Sequence, residues 1–374
     1  MFKAPENRSF FIFGPRGTGK SSWLKQHFRG YPFVDLLDDA TFRMLTARPE
    51  SLAELFKPGA PWVVIDEMQR VPAILNEVHR LIESSSTKFA LSGSSARKLK
   101  REGTNLLAGR ALTKHMYPLT SRELGSDFDL TRALTLGTLP EIWDEHLGKE
   151  YLESYVTTYL KEEIQQEGLS RNLGAFSRFL EAASFAQAAP LNVSKVAQQV
   201  GIDSKSAESY FTILEDLLLA FRLPVFQKHA KREMYRRNKF MFFDVGVYRS
   251  IRPRGPIDTP EYIDGAALET LLFQEMMALN EYFRLGFDFF YWRTRTQLEI
   301  DFVLYGERGI IAIEVKRNSN PRKQDLRALR QFREDYPSAR TIMLYGGTKR
   351  LYKEQIELIP FAEGLLNIEQ LLTE

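Results

Sequence analysis

Cysteine is absent from the 374 residues, which excludes disulfides, thiolate nucleophiles and cysteine-ligated zinc or iron–sulfur centres. Histidine is scarce: the five, at positions 27, 79, 115, 146 and 229, show no metal-ligand spacing. No uninterrupted apolar stretch is long enough to span a bilayer, and the opening MFKAPENRSF lacks the apolar region of a signal peptide. A large charge of one sign is missing too. With a net charge of +3 and a pI near 8.8, the chain falls short of the basicity that marks a nucleic-acid-binding domain outright, so distribution must carry that argument. There is no repeat, low-complexity tract or long linker. What remains is the composition of an ordinary soluble protein, 44% hydrophobic and 26% charged, expected in the reducing cytoplasm with no membrane partner. Its length suits two or three domains, each with its own core.

The first informative stretch is FIFGPRGTGKSS, residues 11 to 22. Gly14 to Ser21 fits G-x-x-x-x-G-K-[ST], with a short apolar strand before it and helical spacing of Trp23, Leu24 and Phe28 after it. Glycines let backbone N–H groups close on phosphates, and a helix N-terminus adds its positive dipole end. Gly14, Pro15, Arg16, Gly17, Thr18, Gly19, Lys20, Ser21 and Ser22 are therefore the candidate ATP-binding residues. Lys20 is expected on the β- and γ-phosphates and the Ser21 hydroxyl on Mg²⁺.

Such a loop calls for a second strand ending in acid. Trp62 to Ile65 is apolar and Asp66-Glu67 closes it; Asp66 is the expected Mg²⁺ ligand and Glu67 the base that polarises the attacking water. Residues 72 to 85 read as a helix with Ile74, Leu75, Val78, Leu81 and Ile82 on one face. KFALSGSS follows as a further strand, whose Ser92 or Ser94 is expected to sense the γ-phosphate. This alternation is that of a parallel α/β sheet with ligand at the strand carboxyl ends.

GPRGTGKS, VVIDEMQ, ALSGSS, LLAGR and YPLTSREL, followed by GTLPEIW and YLESYVTTYLKEEI, resemble in order and spacing the AAA-type ATPases at the front of the DUF4143 family. The likeness runs over essentially the whole chain. It implies a P-loop ATPase domain over residues 1–148 with a helical tail, a helical linker and winged helix over 149–250, and a PD-(D/E)XK nuclease-like α/β domain over 251–374. It also makes Arg110, in LLAGR, the candidate arginine finger that completes a neighbour's site in a ring.

In the middle, residues 174 to 187 have a helical pattern ended by Pro190. A short helix with Val193, Val196, Ala197 and Val200 on its apolar side then meets a Gly201 turn and a long helix from about Ser204. That is a helix-turn-helix. The next stretch reads as two strands around a basic turn, which completes a winged helix. The groove-facing set Lys205, Glu208, Ser209 and Thr212 is poor for reading bases. The turn, with Lys228, Lys231, Arg232, Arg236, Arg237 and Lys239 against Glu233, suits sequence-independent, salt-sensitive phosphate contacts. A solvated hairpin or a salt-bridging subunit surface has the same composition.

QLEIDFVLYGERGIIAIEVKRN, residues 297 to 318, reads as a hairpin around YGERG. If Tyr305 faces Ile310, Asp301 lies opposite Glu314, and two paired carboxylates cost free energy unless a cation sits between them. Lys316 points to the same face. IDFV followed by IEVK resembles the PD-(D/E)XK core. That resemblance implies Asp301 and Glu314 as Mg²⁺ ligands, Glu269 as an outer helix-borne ligand, and Lys316 orienting the water that attacks phosphorus. A helix over 322–333 and a strand over 341–347 complete the small sheet. Such folds serve either as metal-dependent cutters or as DNA clamps that do not cut.

The function expected is therefore an oligomeric ATPase moving on duplex or branched DNA. Two other readings are a remodelling or branch-migration motor whose last domain only binds DNA, and a nucleotide-controlled switch that binds protein partners.

Overall fold

Five short strands build the amino-terminal sheet: β1 (Ser9–Phe13), β2 (Phe33–Asp35), β3 (Trp62–Asp66), β4 (Lys88–Gly93) and β5 (Ala111–His115). All pair in parallel, in the order β2-β3-β4-β1-β5. Every residue of β1 and β3 is buried, as parallel strands covered on both faces must be, which explains their unbroken apolar runs. Phe11, Phe13, Val63, Ile65, Phe89 and Leu91 pack with Ile74, Leu75 and Val78 of the helix Ile74–Ser84. Because Phe13 pairs with Gly93 and Ile65 with Leu91, the carboxyl ends of β1, β3 and β4 meet along one edge.

This computed structural model describes residues 1–94, 107, 109–143, 148–160, 173–253, 255 and 260–373. They divide into two compact units, Met1–Pro118 with Asp216–Leu219, and Leu119–Glu215 with Ala220–Glu374. Leu106 and Ala108 of LLAGR, and residues 161–164 of YLESYVTTYLKEEI, lie outside the described residues. No helix among the described residues is long and apolar enough to cross a membrane.

In the second unit the helices Leu173–Ser184, Val193–Val200 and Ser204–Asp216 accompany an antiparallel sheet of β6 (Ala189–Pro190), β7 (Ala220–Leu223) and β8 (Lys239–Phe242), ordered β6-β8-β7. The turn between the second and third helices rests on Gly201, whose φ of 74° is left-handed. After the helix Pro260–Phe283 comes a six-stranded mixed sheet of β9 (Asp288–Arg293), β10 (Glu299–Gly306), β11 (Gly309–Lys316), β12 (Arg340–Tyr345), β13 (Leu351–Lys353) and β14 (Ile356–Pro360), ordered β13-β14-β12-β11-β10-β9. The expected helix over 322–333 begins only at Arg327 and runs to Asp335. Its first residues are held in a turn instead, where the Arg322 N–H donates to the Asp325 carboxylate at 2.7 Å.

The basic stretch between β7 and β8 is not a simple hairpin turn. Its main chain lies along β9: the Phe226 N–H donates to the Tyr291 carbonyl at 2.7 Å and the Tyr235 N–H to the Arg293 carbonyl at 2.9 Å. An extended chain beside an edge strand satisfies both sets of backbone groups, which a free loop leaves to water.

The helix Pro260–Phe283 is threaded through the second unit and its polar residues each meet a different segment. Thr270 accepts from Gln187, Gln274 donates to Thr138, and Glu275 takes the Ser121 N–H at 2.9 Å and the Ser121 hydroxyl at 2.6 Å. The last contact caps the helix Ser121–Leu124 from outside, while Thr120 and Glu123 form a capping box within it. Burial pushes the Glu275 carboxyl up to about 8 in spite of the Ser121 donors. The folded chain thus keeps a proton that the unfolded chain releases, so this residue's contribution is full below the ordinary value of 4.5 and is lost as pH rises through about 8. Glu275→Gln, which keeps an acceptor for Ser121 without the ionisation, flattens that decline and raises Tm at pH 8, as thermal unfolding across the pH range measures.

Candidate nucleotide site and carboxylate centre

The loop after β1 turns through Gly17 and Gly19, with φ of 82° and 88°, conformations glycine adopts without steric cost. Gly14 is fixed by proximity: a Cβ there would lie 2.3 Å from the Met116 carbonyl oxygen. The Thr18 hydroxyl donates to the Pro15 carbonyl at 2.9 Å, and the buried Lys20 ammonium reaches back to the Gly14 and Pro15 carbonyls at 2.7 and 2.9 Å. Lys20 also opens the helix Lys20–His27, so the loop, the ammonium and the helix N-terminus share one place. Ser21 and Ser22 follow in the first turn, half-buried and exposed. That donor set suits a polyphosphate.

At the neighbouring strand ends, the Ser92 hydroxyl donates to the buried Asp66 carboxylate and accepts from the Glu67 N–H at 3.2 Å. Glu67 is left-handed, with φ of 59°, a strained position for a residue with a side chain and one that turns it away from the strand direction. Gln69 holds the Glu67 carboxylate at 2.5 Å and reaches the Ser94 hydroxyl at 3.4 Å. The residues therefore form a chain, Asp66, Ser92, Glu67, Gln69, Ser94, across β3 and β4. Ser92 is fully buried and contacts the Asp66 carboxylate and the Glu67 main chain. The oxygens of Ser21 and Asp66 are of the hard type that Mg²⁺ prefers.

Arg110 immediately precedes β5, whose first residue pairs with Ser9, the start of β1. It thus sits at the amino edge of the sheet, about 16 Å along β1 from the phosphate loop. There its guanidinium pairs with Glu83 on the surface and holds that carboxyl below its ordinary value.

In the second unit, Tyr305 pairs with Ile310 and Phe302 with Ile313, the register that sets Asp301 against Glu314. Around them, however, the arrangement differs from the expected metal centre. The fully buried ammonium of Lys239, from β8, lies 2.6 Å from Glu269, 3.0 Å from Asp301 and 3.6 Å from Glu299. The other Asp301 oxygen accepts from the Val315 N–H at 2.9 Å. Glu314 is held by Lys316 at 2.6 Å and by the Asp301 N–H at 3.3 Å. Among the described residues, no three His, Cys, Asp or Glu side chains are grouped to hold a metal ion. The residues Glu269, Asp301 and Glu314 do not fit Mg²⁺ here, because the Lys239 ammonium already lies against Glu269 and Asp301 and each oxygen of Asp301 and of Glu314 already has a protein donor. Lys239 is accordingly no surface phosphate contact: it is interior, its charge matched by acids. Burial alone pulls that ammonium down, yet Asp301, Glu269 and Glu299 hold it well above its ordinary value. Burial, and then the Asp301 charge, push Glu314 up to about 8.

The remaining basic residues between β7 and β8, Lys228, Lys231, Arg232, Arg236 and Arg237, are exposed. Arg232 pairs with Asp335 at 2.8 Å, Lys231 reaches the Glu334 carbonyl at 3.4 Å, and Lys228 sits 3.9 Å over the Tyr305 ring. Sequence reasoning missed Gln69 and the inward role of Lys239. The signal for Lys239 was there: it opens KFMFF, an apolar run that marks a buried strand rather than a turn.

Three family models match the chain: an AAA domain over residues 6–125, a domain of unknown function (DUF8612) over 127–257 and another (DUF4143) over 264–363. Uncharacterized proteins of Mycobacterium bovis and Mycobacterium tuberculosis are each 25% identical over 297 residues, or 77% of this chain. The chain spans about 65% of the length of these curated relatives. Among solved structures, the ADP form of the Aeropyrum pernix ORC2 protein matches with a TM-score of 0.29 and 14% identity, over 71% of this chain and 89% of that one. A score of that size carries no inference about this chain.

Gly14→Ala tests the loop geometry. Its methyl group meets main chain, so either β1 or the Met116 segment must shift. Binding of a fluorescent nucleotide analogue is expected to be lost and Tm to fall.

Proposed function

We propose that the chain, whose residues 6–125 match an AAA domain and 264–363 a DUF4143 domain, is an AAA-type ATPase that hydrolyses ATP and applies the energy to nucleic acid gripped by its carboxyl half. The observation that carries the first part is the Asp66–Ser92–Glu67–Gln69 chain beside the Lys20 loop. Loop N–H groups and the Lys20 ammonium bind and orient the β- and γ-phosphates. Lys20 is already stabilised by the Gly14 and Pro15 carbonyls, which it exchanges for phosphate oxygens. Glu67, turned out by its left-handed backbone, accepts a proton from the attacking water, and Gln69 fixes the direction of its carboxylate. Ser92, bonded to the Asp66 carboxylate and to the Glu67 main-chain N–H, relays the state of the nucleotide to β4. Ser21 and Asp66 would hold Mg²⁺, which would supply neutralisation of the charge that develops on the phosphates. Arg110, too far along β1 to serve its own loop, completes the site of an adjacent subunit, which requires an oligomer, in our reading a ring.

Glu67→Gln keeps the hydrogen bond to Gln69 but not the base. Phosphate release falls by about 100-fold or more, whereas nucleotide binding persists. Loss of binding instead would make Glu67 structural.

For the carboxyl half we read the three helices and the β6-β8-β7 sheet as a winged helix, and the helix Pro260–Phe283 with β9 to β12 as a nuclease-like core. The exposed Lys228, Lys231, Arg232, Arg236 and Arg237 support contact with a phosphate backbone of duplex or branched DNA, without choice of sequence. The donor-filled carboxylate centre favours the reading in which the last domain holds DNA without cutting it. ATP turnover is then stimulated by DNA, the stimulation weakens as salt rises, and Arg236→Ala with Arg237→Ala removes it while basal turnover stays. Rates unchanged by single-stranded, duplex and four-way DNA would sink this half of the proposal and leave the ATPase half standing.

A further inference from the structure

We infer that Lys239 is a built-in cation which takes the place of a divalent metal between Glu269 and Asp301, so that the carboxylate centre binds no metal and cleaves no phosphodiester. It concerns the second unit alone and does not depend on the nucleotide chemistry proposed above.

Two carboxylates that face each other inside a protein need a proton on one of them or a positive charge between them. A divalent ion supplies it through direct oxygen ligation at about 2.0–2.6 Å, using lone pairs that point at one centre. An ammonium supplies it through three N–H groups aimed at separate acceptors. Lys239 places an ammonium there, with one hydrogen bond and two further charge contacts. The Lys239 ammonium contacts Asp301 at 3.0 Å through a hydrogen bond, Glu269 at 2.6 Å as an ion contact outside hydrogen-bond angle, and Glu299 at 3.6 Å. Phe302 closes the remaining side, its ring centroid 5.5 Å from the ammonium. Lys239 comes from β8, a strand of the smaller sheet, while its partners come from the helix Pro260–Phe283 and from β10. The lysine therefore joins three elements and cannot swing out as an exposed side chain could: its exposure is 0%.

The other oxygens point the same way. Asp301 spends its second oxygen on the Val315 N–H, and Glu314 spends one oxygen on Lys316 and the other on the Asp301 N–H. These main-chain bonds lie just beyond the last regular pair of the β10–β11 ladder, Phe302 with Ile313. The carboxylates thus cap N–H groups where regular pairing ends. A metal that ligates Asp301 and Glu314 competes with these donors for the carboxylate lone pairs and displaces a paired, buried ammonium from Asp301.

The test uses the full-length protein without nucleotide, which keeps the phosphate-loop metal out of the readout, and titrates Mn²⁺ followed by electron paramagnetic resonance. Wild-type protein is expected to show no saturable Mn²⁺ binding and no Mn²⁺-dependent cleavage of plasmid or four-way DNA. Lys239→Ala removes the internal cation and opens room. Its Tm falls, and Mn²⁺ restores it saturably, with no such rise for wild type or for Lys239→Ala combined with Asp301→Asn. Saturable Mn²⁺ binding by wild-type protein that disappears in Asp301→Asn would overturn the inference, as would cleavage that disappears in that variant. A folded Lys239→Ala that Mn²⁺ leaves unchanged overturns the claim that the lysine stands in a metal's place. If Lys239→Ala does not fold, the comparison of wild type with Asp301→Asn decides alone.

Discussion

A full positive charge with no solvent exposure is the constraint around which the second unit is organised. Placing the Lys239 ammonium in the interior is unfavourable by several kcal/mol unless carboxylates surround it, and three do: Glu269, Asp301 and Glu299. None of them lies in the strand that carries the lysine. β8 must therefore dock against the helix Pro260–Phe283 and β10 at the same time, and each of these needs the other two to be neutralised. Breaking such a set by removing one member leaves the rest uncompensated. Arg293, which pairs with Glu299, extends it to β9.

The same helix carries further polar commitments along its length: Thr270 to Gln187, Gln274 to Thr138, Glu275 to Ser121. A long helix buried nearly all round has little amphipathic pattern to specify its rotation. Directional hydrogen bonds to fixed partners supply that specification instead, since only one rotation satisfies them all.

Much of this was legible in the chain. The phosphate loop, β1, β3 and β4 were readable because fully buried parallel strands are continuous apolar runs and because glycine spacing in the loop leaves few alternatives. The β10–β11 register followed from YGERG and the two-residue period. What escaped was long-range. Glu67, Gln69 and Ser94 are close in sequence or strand order, yet their linkage depends on the left-handed turn at Glu67, which no propensity of glutamate suggests. Lys239 was misplaced for a related reason: six cations within twelve residues, 228 to 239, read as one solvated cluster, although the last belongs to the strand that follows. Local composition cannot tell a lysine that faces water from one that faces acids sixty residues on. Arg110 and Glu83 are likewise paired only by the fold.

The segment between β7 and β8 is fastened to β9 by main-chain bonds at Phe226 and Tyr235, to Arg295 just past that strand by the Glu233 carbonyl, and to the neighbouring helix end by Arg232 on Asp335. Basic loops are commonly tethers whose ordering must be supplied by whatever they touch. Here the backbone is already bonded in place, so that in the contact with nucleic acid proposed above a polyanion would meet cations at set spacings and little conformational entropy would be surrendered. Such a grip would be that of a stiff comb rather than of a loose thread.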